Sequence, residues 1–548
     1  MTAEKIKLLL HTVRYLKPTQ VTYRVVRKFK KERPEPGPPP PLRTSNGQVV
    51  AWPERAASML SPTRFRFLNV ELERANPGDW LEGGPEKLWL LNLHYFDDLN
   101  AEGADERTKW HDALVKRWIA ENPPATGIGW QAYPASLRIA NWVKWHLRGH
   151  ELSPLAIESL AVQARYLVRT IEWETMGNHV FANGKGLFFA GLFFGGEEGD
   201  RWLSLGLKLL KQELEEEILA DGGHYERSPM YHSIVLEDVL DLINLRRAYP
   251  DAIPAEYRAF ADGWSDLAQR MRVWLNVMLH PDGRISFFND AAFGIAIEPP
   301  GLHAYAERLG LAPVAQAKEG MTHLKESGFV RVQFGNTVGL FDVGEIGPSY
   351  IPGHSHADTL TFELSVRGKR LVVNSGTSVY KQFPARQQQR STAAHNTVVV
   401  DGQDSSEVWG AFRVARRAYP LDVQVKQEGD AWVVKAAHDG YRRLPGRVTH
   451  RRTWRFDPNG IDIVDQLEGT PNEAVGYLHF APEATVEGGT VRRGPVTATY
   501  EAAGADAQVA DGTYHPEYGI TVPNKQLRLR FAGAAATLRL QWKDQEGR

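Results

Sequence analysis

Residues 351–380 read IPGHSHADTLTFELSVRGKRLVVNSGTSVY, with two histidines, a carboxylate and a glycine at the mouth of alternating apolar runs. Thr359 to Val366 and Lys369 to Val373 are rich in β-branched and apolar residues and flank Arg367-Gly368, a turn-forming pair, so the stretch predicts a β-hairpin. His354 and His356 are two apart, so on an extended backbone both side chains leave one face. A lone histidine at a strand end is ordinarily a half-buried polar residue. Here Asp358 follows the pair, and His395 stands further on beside Asn396. Three imidazoles with a nearby amide point to a metal, a proton relay, or both.

Outward from this hairpin the chain divides by texture. Beyond about residue 320, SGFVRVQFGNTVGLFDVG, LTFELSV, KRLVVNSG, HNTVVVDG, VTHRRTWRF, GIDIVDQLEG and TLRLQWK are short runs separated by turn signals, the pattern of an antiparallel β-sandwich. From about 105 to 310 the apolar spacing is helical, predicting helices at 106–121, 133–149, 154–171, 179–194, 200–219, 229–248, 254–278 and 301–310. Helices joined by short connections predict paired hairpins in a toroid or solenoid, although no fixed repeat period is present. The N-terminal stretch 4–31 has helical spacing and ends in KFKKER, suited to an acidic surface or to a solvated helix end. PEPGPPPPLR at 34–43 is a linker. The expected organisation is α+β and multidomain: an N-terminal helix and linker over 1–45, helical hairpins over 46–315, and a β domain over 316–548.

Composition narrows function. The chain has 548 residues and a formal net charge of −1, so no global field recruits nucleic acid or anionic lipid. The absence of cysteine excludes thiolate nucleophiles and Cys-ligated zinc. The 16 Trp and 18 Tyr suit sugar faces as well as cores. The apolar patch Ile6 to Leu10 is too short for a signal sequence, and no apolar run is long enough to span a bilayer, so a cytoplasmic location is expected, or a periplasmic or secreted one if the true start lies upstream.

Three loops in the helical half carry candidate chemistry. In GIGWQAYPASLRIANW, Trp130 and Tyr133 precede a helix start and Arg138 follows, readable as core packing or as a sugar-stacking platform. In GNHVFANGKG, Asn178 and His179 open a helix with Asn183 five residues on; Asn178 reads equally as a helix N-cap. In DGGHYERSPMYH, turn glycines gather His224, Tyr225, Glu226, Arg227, Tyr231 and His232 around Pro229, more ionisable groups than a cap requires.

The strings NHVFANGKGLFFAGLFF, DGGHYERSPMYHSIVLEDVLDL, GHSHADTLTFEL with LVVNSGTSVY, and STAAHNTVVVDGQDSSEVWGAFR, in that order, resemble the heparinase II/III-like family of polysaccharide lyases, over about residues 85 to 470. The resemblance implies an incomplete (α/α) toroid followed by an antiparallel β-sandwich, and β-elimination on a uronic-acid-containing glycan. It makes Asn178 and His179 the pair that neutralises the uronate carboxylate, Tyr231 the catalytic tyrosine and His354 the catalytic histidine, with base and acid unassigned between the last two. A tyrosine base requires a pKa brought down from about 10, for which a nearby histidine or Arg227 is the expected source. Trp130, Tyr133, Arg138, Asn183, His224 and Arg227 are the expected substrate-binding residues, with Arg390, Arg413 and Arg451 as further cations for an anionic polysaccharide. The family's structural zinc site maps to His356, Asn374 and His395, and the neutral amide of Asn374, where the family has aspartate, weakens it. Two other readings stand beside the lyase. A hydrolase needs two carboxylates about 5 to 10 Å apart, from Glu226, Asp290 and Asp358; a non-catalytic glycan-binding factor of exopolysaccharide assembly needs neither.

Overall fold

The computed structural model describes residues 2–82, 84, 86–381 and 384–542. Its helical part contains Lys87–Leu93, Thr108–Glu121, Ala132–Leu147, Pro154–Arg169, Asn178–Phe193, Gly196–Glu217, Pro229–Ala248, Ala255–Asp262, Trp264–Val277 and Pro299–Arg308. These form an incomplete (α/α) toroid. The expected helix 254–278 is two helices that meet at Gly263, and Lys87–Leu93 was not anticipated, being a single two-turn helix too short for a periodic signal. The tryptophans go mainly to the core: Trp80, Trp89, Trp118, Trp142 and Trp264 are fully buried there, so their abundance reports packing.

Glycines set the closest helix contact. Asn178–Phe193 and Gly196–Glu217 pack with Gly184 and Gly191 facing Leu209 and Leu203, and a Cβ added at Gly206 would lie 2.6 Å from the Phe188 amide nitrogen. Backbones approach there only because no side chain intervenes.

Among the described residues every strand pair of the β part is antiparallel. A five-stranded meander runs Gly320–Leu324, Phe329–Phe334, Thr337–Asp342, Phe362–Val366, Lys369–Val372. The last two strands form the expected hairpin, with Arg367 and Gly368 at φ 50° and 80° in the left-handed turn. A four-stranded sheet, 505–514, 522–531, 474–479 and 398–400, meets the meander's edge where the Val373 amide donates to the His479 carbonyl at 3.0 Å. An eight-stranded sheet supplies the opposing layer. Val330, Phe341, Phe362 and Leu364 from the meander and Trp454, Phe456, Ile461 and Leu540 from the large sheet share one buried cluster, which makes this a sandwich.

The N-terminal segment is two helices, Ala3–Val13 and Pro18–Phe29, divided at Pro18. They strap across both parts. Trp409 donates to Thr12 Oγ1 at 3.0 Å on the β side, and Gln20 Nε2 donates to the carbonyls of Thr175 (3.2 Å) and Tyr350 (3.3 Å), one from each part. The proline-rich stretch then lies against the toroid, where Arg165 donates to the Gly37 and Pro38 carbonyls.

Because Gly206 meets backbone, Gly206→Ala is expected to lower stability by about 1–3 kcal/mol in urea titration, the scale of overpacking. Gly78→Ala, with nothing within 4 Å of its added Cβ, should stay within about 0.5 kcal/mol of the parent.

Candidate functional site

Two polar residues inside an apolar run, Asn289-Asp290 in FFNDAAF, draw three distant segments together. Asn289 Nδ2 donates to the Arg227 carbonyl at 3.1 Å, and its Oδ1 accepts the His356 amide at 3.0 Å. Asp290 donates its amide to the His354 carbonyl (2.9 Å) and accepts Ser228 Oγ at its own carbonyl (2.5 Å). Its carboxylate takes Arg386 through both guanidinium nitrogens, His356 Nε2 at 2.8 Å and Thr377 Oγ1 at 3.2 Å. Burial opposes the charge on Asp290, but Arg386 and His356 outweigh it and hold the carboxyl well below the usual range.

Ser228 caps the helix Pro229–Ala248 by accepting the Tyr231 amide at 3.2 Å, which fixes where Tyr231 emerges. Tyr231 stacks face to face on His354, ring centroids 3.9 Å apart at 15°. Its hydroxyl lies 2.8 Å from Tyr380 OH. Behind the pair, Glu226 Oε2 sits 2.7 Å from His354 Nδ1. Burial would raise the Glu226 pKa, but His354 more than offsets this and keeps the carboxylate ionised. An ionised acceptor there fixes the ring proton on Nδ1 and leaves the lone pair on Nε2. Burial pushes Tyr231 well above 10, with the charges of Asp290 and Glu226 adding to the effect. This corrects the expected lowering. Arg227 does not supply it either, because its Nη1 donates to the Glu345 carbonyl at 2.8 Å.

Asn178 and His179 open the helix Asn178–Phe193 directly after Gly177, whose φ is 58°. The Gly177 Cα packs within reach of Tyr225 OH and the Ile351 side chain, so this helix start abuts both the Glu226 turn and the His354 loop. Asn178 is not the N-cap; its half-buried side chain carries an Oδ1 without a protein partner. His179 Nδ1 lies 3.1 Å from Glu172 Oε1. Burial works against its charge, yet Glu172 prevails and raises the imidazole pKa. The ring of Tyr133 is 4.8 Å from that of His179, and Tyr133 also lines a cavity of about 150 Å³ in the toroid. The cations on that cavity's wall are already matched: Arg55 to Glu237 and Lys144 to Asp241, each at 2.6 Å, and Lys185 to Asp238 and Asp241.

Other expected contacts are interior. Trp130 donates to the Asn122 carbonyl, Arg138 to Gln163 and the His94 carbonyl, Asn183 to Ser136 and Glu172, and His224 lies 2.9 Å from Glu217, all buried. Each is held by hydrogen bonds to other protein groups. Arg390 is buried among carbonyls of 355 and 411, Arg451 is paired with Asp422 and Glu468, and Arg413 lies over Trp409. For the hydrolase reading, Asp290 is locked in its ion pair and Asp358 is 1 % exposed with its pKa raised to about 7 by burial. Glu172, Asn289, Tyr380 and Arg386 are the residues added by the structure to the site, and Glu226, read from the sequence as a hydrolase carboxylate, instead pairs with His354.

His354 and His356 do not share a strand face, since the backbone through 353–360 is turn rather than strand. His356 instead enters a buried chain. Its Nδ1 is 3.1 Å from His395 Nε2, and His395 Nδ1 is 3.1 Å from Asn374 Oδ1. His356 and Asn374 thus lie on opposite sides of the His395 ring, and the three do not face one point as zinc ligands must. Among the described residues no group of three or more His, Asp or Glu is disposed to hold a metal ion. Burial takes His356 down to about 4 against the opposing pull of Asp290, with Arg386 and Arg390 adding to the lowering, and burial with the neighbouring His356 and His479 takes His395 well below its ordinary value, so both are neutral. With Asp290 accepting from His356 Nε2, His356 Nδ1 must accept from His395 Nε2, and His395 Nδ1 then needs a donor. The buried Asn374 Nδ2, otherwise unpartnered, supplies it once the amide is turned end for end, and Thr361 Oγ1, 2.7 Å away, then accepts instead of donating. An aspartate at 374 would oppose acceptor to acceptor. Asn374→Asp should therefore lower the melting temperature by several degrees, while chelator treatment of the parent leaves it unchanged; a chelator-induced drop would refute the relay.

Residues 100–296 match the Heparinase II/III N-terminus model and residues 316–543 the Heparinase II/III-like, C-terminal model. A "Heparin-sulfate lyase" of Bacteroides stercoris is 24% identical over 337 residues, covering 57% of this chain and 47% of that protein. "FtsZ-localized protein C" of Caulobacter vibrioides is 25% identical over 424 residues, covering 73% and 69%. The chain thus spans about half the length of the first of these relatives. The solved structure of Heparinase III superposes with a TM-score of 0.67 at 17% identity, over 85% of this chain and 79% of that one, which establishes the shared toroid and sandwich. The chain belongs to the heparinase II/III-like family.

Proposed function

We propose that the protein is a polysaccharide lyase that cleaves a uronic-acid-containing glycan by β-elimination. The observation that carries this reading is Tyr231 stacked on His354 with Glu226 behind it, a protonated phenol and an imidazole lone pair side by side. His354 Nε2 takes the C5 proton, the C4–O4 bond breaks as the C4–C5 double bond forms, and Tyr231 gives its proton to O4. Burial suits Tyr231 to the acid's role because it enters the reaction protonated. The imidazolium left on His354 is adjacent to the phenolate and can return the proton. His179, kept cationic by Glu172, and the unpartnered Asn178 amide neutralise the carboxylate as enolate charge develops, an effect worth a few kcal/mol per well-placed donor.

The cavity beyond Tyr133 deepens the substrate reading. Its cations are each occupied by a carboxylate, so it suits a neutral sugar better than a sulfated one. A glycan carrying uronate but little sulfate suits that cavity. The Caulobacter relative's name, which describes localisation rather than catalysis, keeps a second reading open, glycan binding without turnover.

Incubation with unsulfated and sulfated uronate polymers is expected to produce the ultraviolet absorbance of an unsaturated uronide, faster from the unsulfated ones. Tyr231→Phe and His354→Ala should each reduce turnover at least about a hundredfold. Binding that survives in both variants, with no chromophore from any uronate polymer, would favour the non-catalytic reading. His179 acts as a cation below its raised pKa, so kcat/KM should fall on the alkaline side as it deprotonates. Glu172→Gln removes the carboxylate that raises this pKa and should move the alkaline limb to lower pH; an unmoved limb would remove His179 from the mechanism.

A further inference from the structure

The overall charge balance conceals a strongly segregated N-terminus. Between residues 5 and 31 the chain has nine Lys and Arg and no Asp or Glu, in a protein whose formal net charge is −1. Both helices of this segment are anchored by one face only. Thr12 meets Trp409, Gln20 meets the two carbonyls already described, and Arg27 donates to the Ile171 carbonyl at 2.8 Å and pairs with Glu174. At 100° per residue, the side opposite these anchors carries Ile6, Leu10 and Val13 on the first helix and Val21, Val25 and Phe29 on the second. All six are exposed, Leu10 at 63% and Phe29 at 85%. Lys5, Lys7, Arg14, Arg24, Lys28 and Lys31, also exposed, flank these stripes.

We propose that this face is a docking surface for an anionic lipid bilayer, on which the two helices lie flat with their apolar stripes in the headgroup boundary. An exposed phenylalanine and aliphatic stripe rimmed by lysine and arginine is the composition of an interfacial helix, and basic side chains near an anionic leaflet add attraction that salt screens. A second copy of this chain is disfavoured as the occupant, because apposing the same face would set like charge against like charge. Nucleic acid is disfavoured because six apolar side chains would be pressed against phosphates. The longest apolar run is too short to span, and no described helix is long and apolar enough to cross a membrane, so the contact is superficial. The inner face of the same strap holds Thr175, three residues before Asn178, and Tyr350, four before His354, so docking would seat the Asn178 and His354 loops close to the lipid surface. The proposal does not depend on the lyase reading.

The full chain should co-sediment with vesicles of phosphatidylglycerol and phosphatidylcholine, much less with phosphatidylcholine alone, and binding should weaken as salt is raised. Val25→Glu/Phe29→Glu, outward-facing and outside the site, should weaken vesicle binding roughly tenfold or more while leaving the melting temperature intact. Phe29→Trp should retain binding. The proposal is overturned by no sedimentation with anionic vesicles at low salt, or by sedimentation indifferent to the double substitution. It is equally overturned by a concentration-dependent dimer that the double substitution abolishes, or by tighter retention on duplex DNA than on vesicles.

Discussion

The architecture of the site depends on one buried ion pair, Asp290 with Arg386. Both side chains are fully buried, and the carboxylate also accepts from His356 and Thr377. A buried pair of this kind is not a cheap source of stability, since desolvation consumes much of the attraction. Its value here is geometric. With four hydrogen bonds on its carboxylate, Asp290 has one position, and its backbone then fixes Ser228 on one side and His354 on the other. Tyr231 inherits its place from the Ser228 cap, and the stack of phenol on imidazole follows. Losing one partner would leave an uncompensated buried charge, which costs about 3–5 kcal/mol, so the pair is retained or replaced only as a unit.

Two further carboxylates each govern one imidazole, to opposite ends. Glu172 raises the pKa of His179, while Glu226 holds the proton of His354 on Nδ1 and leaves the lone pair on Nε2. The same pairing thus orients one imidazole at a helix start and another in the loop before a strand, with the two carboxylates placed differently. Glu226 is 2 % exposed and lies 2.7 Å from Nδ1, whereas Glu172 lies 3.1 Å from His179, shares its other oxygen with Asn183 and is less enclosed.

The sequence made the two fold classes readable because hydrophobic spacing is a local property. The helices from Thr108 to Ala248 and the hairpin at Arg367-Gly368 came through for that reason. The residues of the family motifs, Asn178, His179, Tyr231 and His354, were also visible. What was hidden is pairing across distance. Arg138 and Arg390 look like glycan cations until their carbonyl acceptors, supplied by other segments, are seen to bury them. Glu172 and Arg386 carry no local signal of their roles, since each acts on a partner brought near only by folding. His354 and His356 illustrate the converse: their i, i+2 spacing places them together on a strand, but the chain turns at 353–360 and sends one against Tyr231 and the other into the core.

The backbone itself shows where the fold accepts cost for the sake of this arrangement. Met176, Arg227, Asn289 and Leu360 all have φ between 57° and 66°, a region that residues with a Cβ enter at a cost of about 1–3 kcal/mol. Each lies within two residues of a site element: Met176 before Asn178, Arg227 before Ser228, Asn289 before Asp290 and Leu360 after Asp358. Such strain persists only where surrounding contacts over-determine it. The contacts are present for Asn289, whose amide, side-chain oxygen and side-chain nitrogen are all engaged, and for Arg227, whose carbonyl Asn289 binds. Left-handed turns reverse the chain within a residue, and that lets it bend sharply beside Asn178, Ser228, Asp290 and Asp358. The strained positions are therefore the backbone counterpart of the Asp290 pair: one fixes the segments to each other, and the other turns their side chains inward.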